Sequence, residues 1–279
     1  MVRVHYNLLA IAVVVGLLFS NPAVAKVSAE VAGLLGVVPG LGHVVQGETI
    51  EGIAWFGGVA VFFASGFGVL PFSKVSLHTG TNIWQYSIYD VYRDTGEKRK
   101  YKSTLIYDTL AAYNPLNLID WVSPLQLGAN AYVTYRGAPD TVYRGPKRFF
   151  LGVIYQTPNA MAEEALYRGY VFPVVSKVTH FKPLGALTSA VLFSFGHMLY
   201  GYSFKQVLAG TVNNVANSLL WCLQTHLNGM DIRPSIFTHM WIDVMIYHRW
   251  RNAGSPIESS SLSGAVFSPS TSLGYRLFF

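Results

Sequence analysis

Long apolar runs without a charged residue recur along this chain, and they leave it few ways to fold. The three clearest are residues 52–73, 184–204 and 206–230. A helix of about twenty residues crosses the roughly 30 Å hydrocarbon core of a bilayer, so each run is long enough to span it. The pattern therefore predicts an all-α, polytopic membrane protein built as a helical bundle.

The charge distribution supports this class and excludes a nucleic-acid partner. Charged residues make up 12% of the 279 residues, against about 25% in a typical soluble domain. The net charge is +6, but the basic residues lie beside apolar segments, as they do in the cytoplasmic loops of membrane proteins. We expect membrane lipid as a partner, no nucleic acid, and a multi-pass location in a bacterial inner (plasma) membrane.

The N-terminus has the three parts of a secretory signal peptide. Arg3 lies in a short polar start, residues 8–19 are apolar, and residues 23–25 read Ala-Val-Ala. This order predicts cleavage after Ala25. The alternative is an uncleaved first transmembrane helix.

Composition divides the rest of the chain into four parts. Residues 26–76 are rich in Pro and Gly and are predicted to form a membrane hairpin or a re-entrant segment. Residues 77–148 are rich in tyrosine and charge, which suits the membrane interface. Residues 149–251 hold the motifs described next, and residues 252–279 form a polar tail.

The first motif places three charged residues where a membrane helix is expected. Glu163, Glu164 and Arg168 lie within the stretch 162–169, between apolar runs. Each ionised side chain near a bilayer centre costs roughly 2.5–3.5 kcal/mol, so their retention points to a function. Glu164 and Arg168 are four apart and can pair, whereas Glu163 is rotated by about 100° from Glu164. The alternative is a helix end with three solvated charges.

Two further motifs carry histidines on apolar segments. His197 follows Gly196 in the run 184–204, and the ordinary explanation for it is an isolated core histidine bonded to a backbone carbonyl. His239 and Asp243 are four apart and share a helical face. That spacing serves metal ligation, a histidine–carboxylate hydrogen bond, or an oxyanion donor.

Taken in order, the three motifs resemble those of the CAAX protease and bacteriocin-processing family of intramembrane proteases, which is related to the eukaryotic Ras-converting enzyme. The motifs are Glu-Glu-x-x-x-Arg, then Phe193 to His197, then His239 to Asp243, within residues 149–251. The resemblance implies an intramembrane endopeptidase with its core in the C-terminal half. A peptide or protein is then the substrate.

The same resemblance implies a role for each residue of the first two motifs. Glu163 matches the base that activates water for attack on a peptide carbonyl. Glu164 matches the supporting acid, paired with Arg168. His197 matches the histidine that holds the water together with the glutamate.

The third motif departs from part of the family. His239 matches the oxyanion histidine, but an Asn in some members is replaced here by Asp243. An ionised carboxylate cannot donate a hydrogen bond to an oxyanion. Asp243 is therefore expected to orient His239, which leaves the histidine as the donor.

The predicted chemistry is direct attack by water, with no cofactor and no covalent intermediate. The alternative is zinc at Glu163, His197 and His239, whose N and O ligand types zinc accepts. Two other functions also fit the sequence. One is a non-catalytic membrane scaffold, or an immunity-type protein that binds a peptide on the same fold. The weaker one is a transporter that uses intramembrane acids as a proton relay.

Overall fold

The computed structural model describes residues 27–66, 75–96, 105–136, 146–200 and 203–250. The predicted signal peptide, residues 1–25, and the predicted tail, residues 252–279, lie outside these ranges, so both stay predictions.

Every regular element in the described ranges is a helix, so the all-α prediction is confirmed. The α-helices are α1 (Ala29–Leu35), α2 (Leu41–Val45), α3 (Thr49–Gly66), α4 (Val75–Gly96), α5 (Leu105–Ala111), α6 (Val122–Tyr135), α7 (Pro146–Glu164), α8 (Phe172–Thr179), α9 (Lys182–Gly196), α10 (Phe204–Leu227) and α11 (Arg233–Trp250). A π-helix (Ala165–Val171) joins α7 to α8, and 3-10 helices cover Pro115–Leu118 and His197–Tyr200.

The C-terminal helices form the core that positions the motif residues. Helix α11 packs along α7 and also contacts α6 and α10, while α9 packs against α8 and α10. Buried apolar residues of α7 and α11, among them Ala160, Met161, Ile236 and Met240, form one cluster with Tyr86 of α4. The first and third motifs are therefore brought together by direct packing of the helices that carry them.

The number of membrane spans is not established by the structure. Among the described residues, α3 is the one helix long and apolar enough to cross a membrane by length and composition. The predicted span 184–204 is interrupted, because α9 ends at Gly196 and a 3-10 helix follows. Helix α10 is uncharged but for Lys205, yet Asn213, Asn214 and Asn217 lower its hydropathy. The multi-pass arrangement stays a prediction.

Close backbone contacts hold together the N-terminal hairpin, which consists of helices α1 to α3. A Cβ placed on Gly42 would lie 2.3 Å from the carbonyl oxygen of Ala32 in α1. The backbone of Gly40, just before α2, has a φ of 77°, which a residue with a side chain rarely adopts. The indole Nε1 of Trp84 in α4 donates to the carbonyl oxygens of Gly36 and Val37 at 3.1 Å.

We expect Gly42→Ala to lower the thermal unfolding midpoint of the detergent-solubilised protein, because the new methyl group must push α1 off α2. Overpacking of this kind typically costs about 1–3 kcal/mol. Gly57→Ala in α3 is the matched control: a Cβ there meets nothing within 4 Å, and alanine favours a helix over glycine. Equal midpoints for the two variants would show that the glycine contact does not hold the hairpin.

Both α4 and the hairpin pack against the π-helix of the first motif. A Cβ on Gly169 would meet the ring of Tyr89 in α4 at 2.4 Å, and the hydroxyl of Tyr170 donates to the carbonyl of Glu30 in α1 at 2.9 Å. The Glu30 carboxylate also accepts from the Lys177 ammonium, and this hydrogen bond lowers the pKa of Glu30 to about 2. The N-terminal segment thus packs against the back of the motif helix.

Candidate active site

The helix of the first motif changes its geometry immediately after the two glutamates. Helix α7 ends at Glu164, and the next seven residues, Ala165–Val171, form a π-helix. A π-helix closes its hydrogen bonds over five residues, which widens the turn, and such segments are frequent at functional sites. The wider turn directs both Tyr167 and Arg168 into the protein, where each is buried.

Glu164 is the centre of a fully buried ion pair. Its Oε1 lies 2.9 Å from Nη1 of Arg168, and neither residue has exposed surface. The Nη2 group of Arg168 donates to the hydroxyl of Ser218 in α10. The same Oε1 of Glu164 accepts a hydrogen bond of 2.7 Å from Nδ1 of His239. Glu164 thus links the first motif to the third.

Aromatic rings surround this ion pair. The guanidinium of Arg168 lies over Phe193 at 4.6 Å and over Trp221 at 4.8 Å, measured to the ring centroids. Trp221 in turn stacks on His239 at 4.1 Å. Both rings attract the cation through their faces, and they separate the pair from water.

Glu163 lies on the other side of the same histidine. It is only 3% exposed, and its Oε2 lies 3.4 Å from Nε2 of His239. Asp243 approaches the same Nε2 at 3.5 Å through its Oδ2, and its side chain keeps about a fifth of its surface exposed. Carboxylates therefore face both ring nitrogens of His239.

His197 is the first residue of the 3-10 helix after α9. Its Nδ1 donates to the carbonyl oxygen of Phe193 at 3.0 Å, so Nε2 is the acceptor in the neutral ring. The Phe193 ring lies edge-to-face with His197 at 5.0 Å and with His239 at 5.5 Å. The two histidines thus flank one phenylalanine.

The geometry of the site bears on several predictions made from the sequence. The ion pair between Glu164 and Arg168 forms as their spacing predicts. A solvated helix end is excluded, because Glu163, Glu164 and Arg168 are all buried. Asp243 was expected to orient His239, but the shortest contact to that ring comes from Glu164.

Sequence reasoning missed the residues that enclose the site, since no charge marked them. Trp221 and Ser218 lie in α10, outside the three motifs, and only the packing of α10 shows their contacts with Arg168. Tyr167 had a signal that could have been used. It lies four residues after Glu163 and therefore shares its helical face.

The donor set beside His239 is of a type that zinc accepts. Oxygens of Glu163 and Asp243 lie 3.4 and 3.5 Å from Nε2 of His239. Two ligands on a tetrahedral zinc, with bonds of about 2.0–2.1 Å, are about 3.3 Å apart. Both acids approach Nε2 of His239, but they do not make a three-residue group with it: among the described residues, the group whose ligand atoms all lie within 4.8 Å of one another is His43, Glu48 and Glu51.

A second group of ligand-type residues lies in the N-terminal hairpin. His43 is buried, and its Nδ1 lies 3.0 Å from Glu48 and 3.7 Å from Glu51. Its Nε2 is directed at Asp90, 3.9 Å away. The three ligand atoms of His43, Glu48 and Glu51 lie within 4.8 Å of one another; Glu48 is half-buried and Glu51 is exposed. This cluster joins α2, α3 and α4.

Comparison with known proteins identifies the domain that holds the candidate site. Residues 145–245 match the family model described as "Type II CAAX prenyl endopeptidase Rce1-like". The C-terminal domain that holds the three motifs is therefore similar to the CAAX proteases. No curated protein and no solved structure matches the chain.

The match of this domain to the CAAX protease family supports several expectations at the family level. The matched range contains all three motifs, so the predicted core in the C-terminal half is confirmed. The family is one of membrane proteases, which supports membrane association, peptidase chemistry and a peptide or protein substrate.

Proposed function

We propose that this protein is an endopeptidase that hydrolyses a peptide bond in or beside the bilayer. One observation carries the proposal. In a domain similar to the CAAX proteases, the buried carboxylate of Glu163 faces Nε2 of His239 at 3.4 Å, beside a second acid that Arg168 already neutralises. The two glutamates therefore have different environments and can have different roles.

Glu163 is the general base of the proposed reaction. It takes a proton from water while the water oxygen forms a bond to the carbonyl carbon of the substrate. The tetrahedral intermediate then collapses, the C–N bond breaks, and Glu163 returns the proton to the leaving amine. A base of this kind needs only hydrogen-bond reach of its water.

The two histidines act on different reactants: His197 on the attacking water and His239 on the carbonyl oxygen of the substrate. His197 offers Nε2 as an acceptor, because its Nδ1–H is held by the Phe193 carbonyl, so it can fix the attacking water. His239 faces carboxylates on both nitrogens, which favours the imidazolium form with an N–H on each. Its Nε2–H is placed to donate to the oxyanion as the carbonyl bond opens.

The multi-pass topology is part of the proposal. Large apolar side chains lie exposed on the outer faces of α9 and α10, among them Leu187, Leu192, Leu208 and Val212. Exposed apolar surface of this extent suits contact with lipid tails. The charged motif residues face inward, as polar groups in membrane helices do.

The experiment that tests the function does not require a known substrate. Membranes of cells that produce the wild-type protein are compared with membranes of cells that produce Glu163→Gln, by proteomics of newly formed peptide termini. We expect termini that depend on Glu163. Glu51→Gln, an exposed acid of the hairpin, is the matched control and should give the wild-type pattern. Identical termini in all three would favour a non-catalytic scaffold.

A chelation experiment separates the two water-activating chemistries. If zinc is bound, Glu163 and His239 would be among its ligands, and the metal would supply Lewis-acid activation of the water. We expect a peptide identified in the proteomics to be cleaved at an unchanged rate after treatment with a chelator and dialysis. Loss of cleavage that added zinc restores would assign the metal mechanism.

A further inference from the structure

The third motif supplies one donor for the oxyanion of the proposed reaction, the Nε2–H of His239, but no second donor at position 243. Asp243 stands at a position that is Asn in some family members and an acid in others, and an ionised carboxylate has no hydrogen to donate. His239 is also shared, since Glu164 holds its Nδ1 and two acids face its Nε2. A neutral donor close to Glu163 would complete the site.

Tyr167 lies at the required place on the motif helix. It follows Glu163 by four residues, shares its face, and is 5% exposed. Glu163 acts electrostatically on the Tyr167 phenol. The ring lies edge-to-face with Phe193 at 5.4 Å, and Phe193 contacts both histidines of the site. The tyrosine is thus packed into the same cluster as the proposed base.

Gly196 makes the room for the Tyr167 hydroxyl. A Cβ built on Gly196 would lie 2.0 Å from that hydroxyl oxygen. Gly196 is the last residue of α9, and His197 follows it directly. The hydroxyl therefore reaches from the helix of Glu163 to the chain that presents His197. The absence of a side chain at position 196 is what permits this.

The main chain of Tyr167 is fixed as well. Its carbonyl oxygen, in the π-helix, accepts a hydrogen bond of 2.8 Å from the hydroxyl of Ser189 in α9. Backbone and ring are thus both held against α9, so the hydroxyl is placed before any substrate arrives. A donor arranged in advance is the kind that stabilises developing charge most effectively.

We propose that Tyr167 is a catalytic residue that donates its hydroxyl hydrogen bond to the oxyanion of the tetrahedral intermediate. The inference rests on the proposed function, since it assigns a donor for that reaction. A phenol is neutral at physiological pH and carries one O–H donor. It therefore takes over the donation that an amide at position 243 would provide.

Kinetics of Tyr167→Phe test the proposal. The probe is the peptide that shows the strongest Glu163-dependent cleavage in cells, synthesised with a quenched fluorophore pair and added to the protein in liposomes. Removing one oxyanion donor typically lowers kcat by about 100-fold or more, and we expect that loss with KM nearly unchanged. Phenylalanine keeps the ring contact with Phe193, so the thermal midpoint should stay close to wild type.

Tyr170→Phe is the matched control, because Tyr170 lies on the same π-helix but donates to the backbone of Glu30. Its kcat should stay at the wild-type level. A kcat for Tyr167→Phe equal to that of Tyr170→Phe would overturn the assignment. A Tyr167→Phe variant that changes KM or stability but not kcat would make Tyr167 a packing residue, which also overturns it.

Gly196→Ala offers a second test that leaves the tyrosine in place. The new methyl group must displace the hydroxyl, so kcat should fall with wild-type Tyr167 and fall little further in the Tyr167→Phe background. If the losses of kcat from Gly196→Ala and Tyr167→Phe were additive in the double variant, the proposal would be contradicted. A failure of the proposed protease function would give a different result. The wild-type protein would then cleave no peptide that the Glu163→Gln variant leaves intact, and substitutions at position 167 would make no difference.

Discussion

Glu163→Gln is expected to lower kcat by about 10²–10⁴-fold on the peptide identified in cells, because the amide cannot take a proton from water. The substitution keeps the size of the side chain and removes a buried charge. Stability should therefore be retained, and the thermal midpoint should not fall. Initial rates in liposomes and thermal unfolding of the solubilised protein measure the two quantities on one preparation.

Variants of two other glutamates test whether the loss of kcat is specific to Glu163. Glu51→Gln, in the exposed hairpin cluster, should keep the wild-type rate. Glu164→Gln should lose both activity and stability, because it leaves Arg168 buried without its counter-charge. A Glu163→Gln variant that turns over at the wild-type rate would remove Glu163 from the reaction.

Arg168→Met should destabilise the protein by about 3–5 kcal/mol, the usual cost of leaving one member of a buried ion pair without its partner. The structural reason is specific to this site. Arg168 pairs with Glu164 at 2.9 Å, donates to Ser218, and lies over the rings of Phe193 and Trp221. Methionine can fill part of the volume but cannot neutralise Glu164. Reversible unfolding in mixed detergent gives the free energy.

Lys177→Met is the matched control for this prediction. Lys177 forms an ion pair with Glu30, but its side chain is largely exposed, and such pairs are worth about 0–1 kcal/mol. In the double variant Arg168→Met/Glu164→Gln the buried charge is gone, so part of the lost stability should return. An Arg168→Met protein as stable as the Lys177→Met protein would show that the pair does not support the core.

The sequence could predict the pairing within a motif but not the pairing between motifs. Glu164 and Arg168 are four residues apart, and helical geometry alone brings them together. His239 is 75 residues from Glu164, and their 2.7 Å hydrogen bond depends on how α11 packs against α7. The expected partner, Asp243, was local in sequence, whereas the closest partner is distant.

The predicted membrane spans show a different reason why the sequence alone is insufficient. Runs without charge indicated three spans, but α9 stops at Gly196 and α10 contains several amides. Helices α7 and α11 carry the charged residues of the motifs, which lower their hydropathy although those side chains face inward. Hydropathy counts residues without regard to the direction they face, so a helix that carries a polar site scores poorly.

By itself, the sequence determined the helical class, the domain that holds the candidate site, and the six motif residues that lie in it. These features follow from the spacing of residues along a helix and from charged residue types, which are rare inside a membrane unless they have a function. Only the tertiary structure decided that Glu163 and Glu164 hold opposite sides of His239, that aromatic rings enclose Arg168, and that Gly196 makes room for Tyr167. The reason is that these contacts join helices distant in the chain, and a π-helix shifts the register that an α-helical pattern assumes.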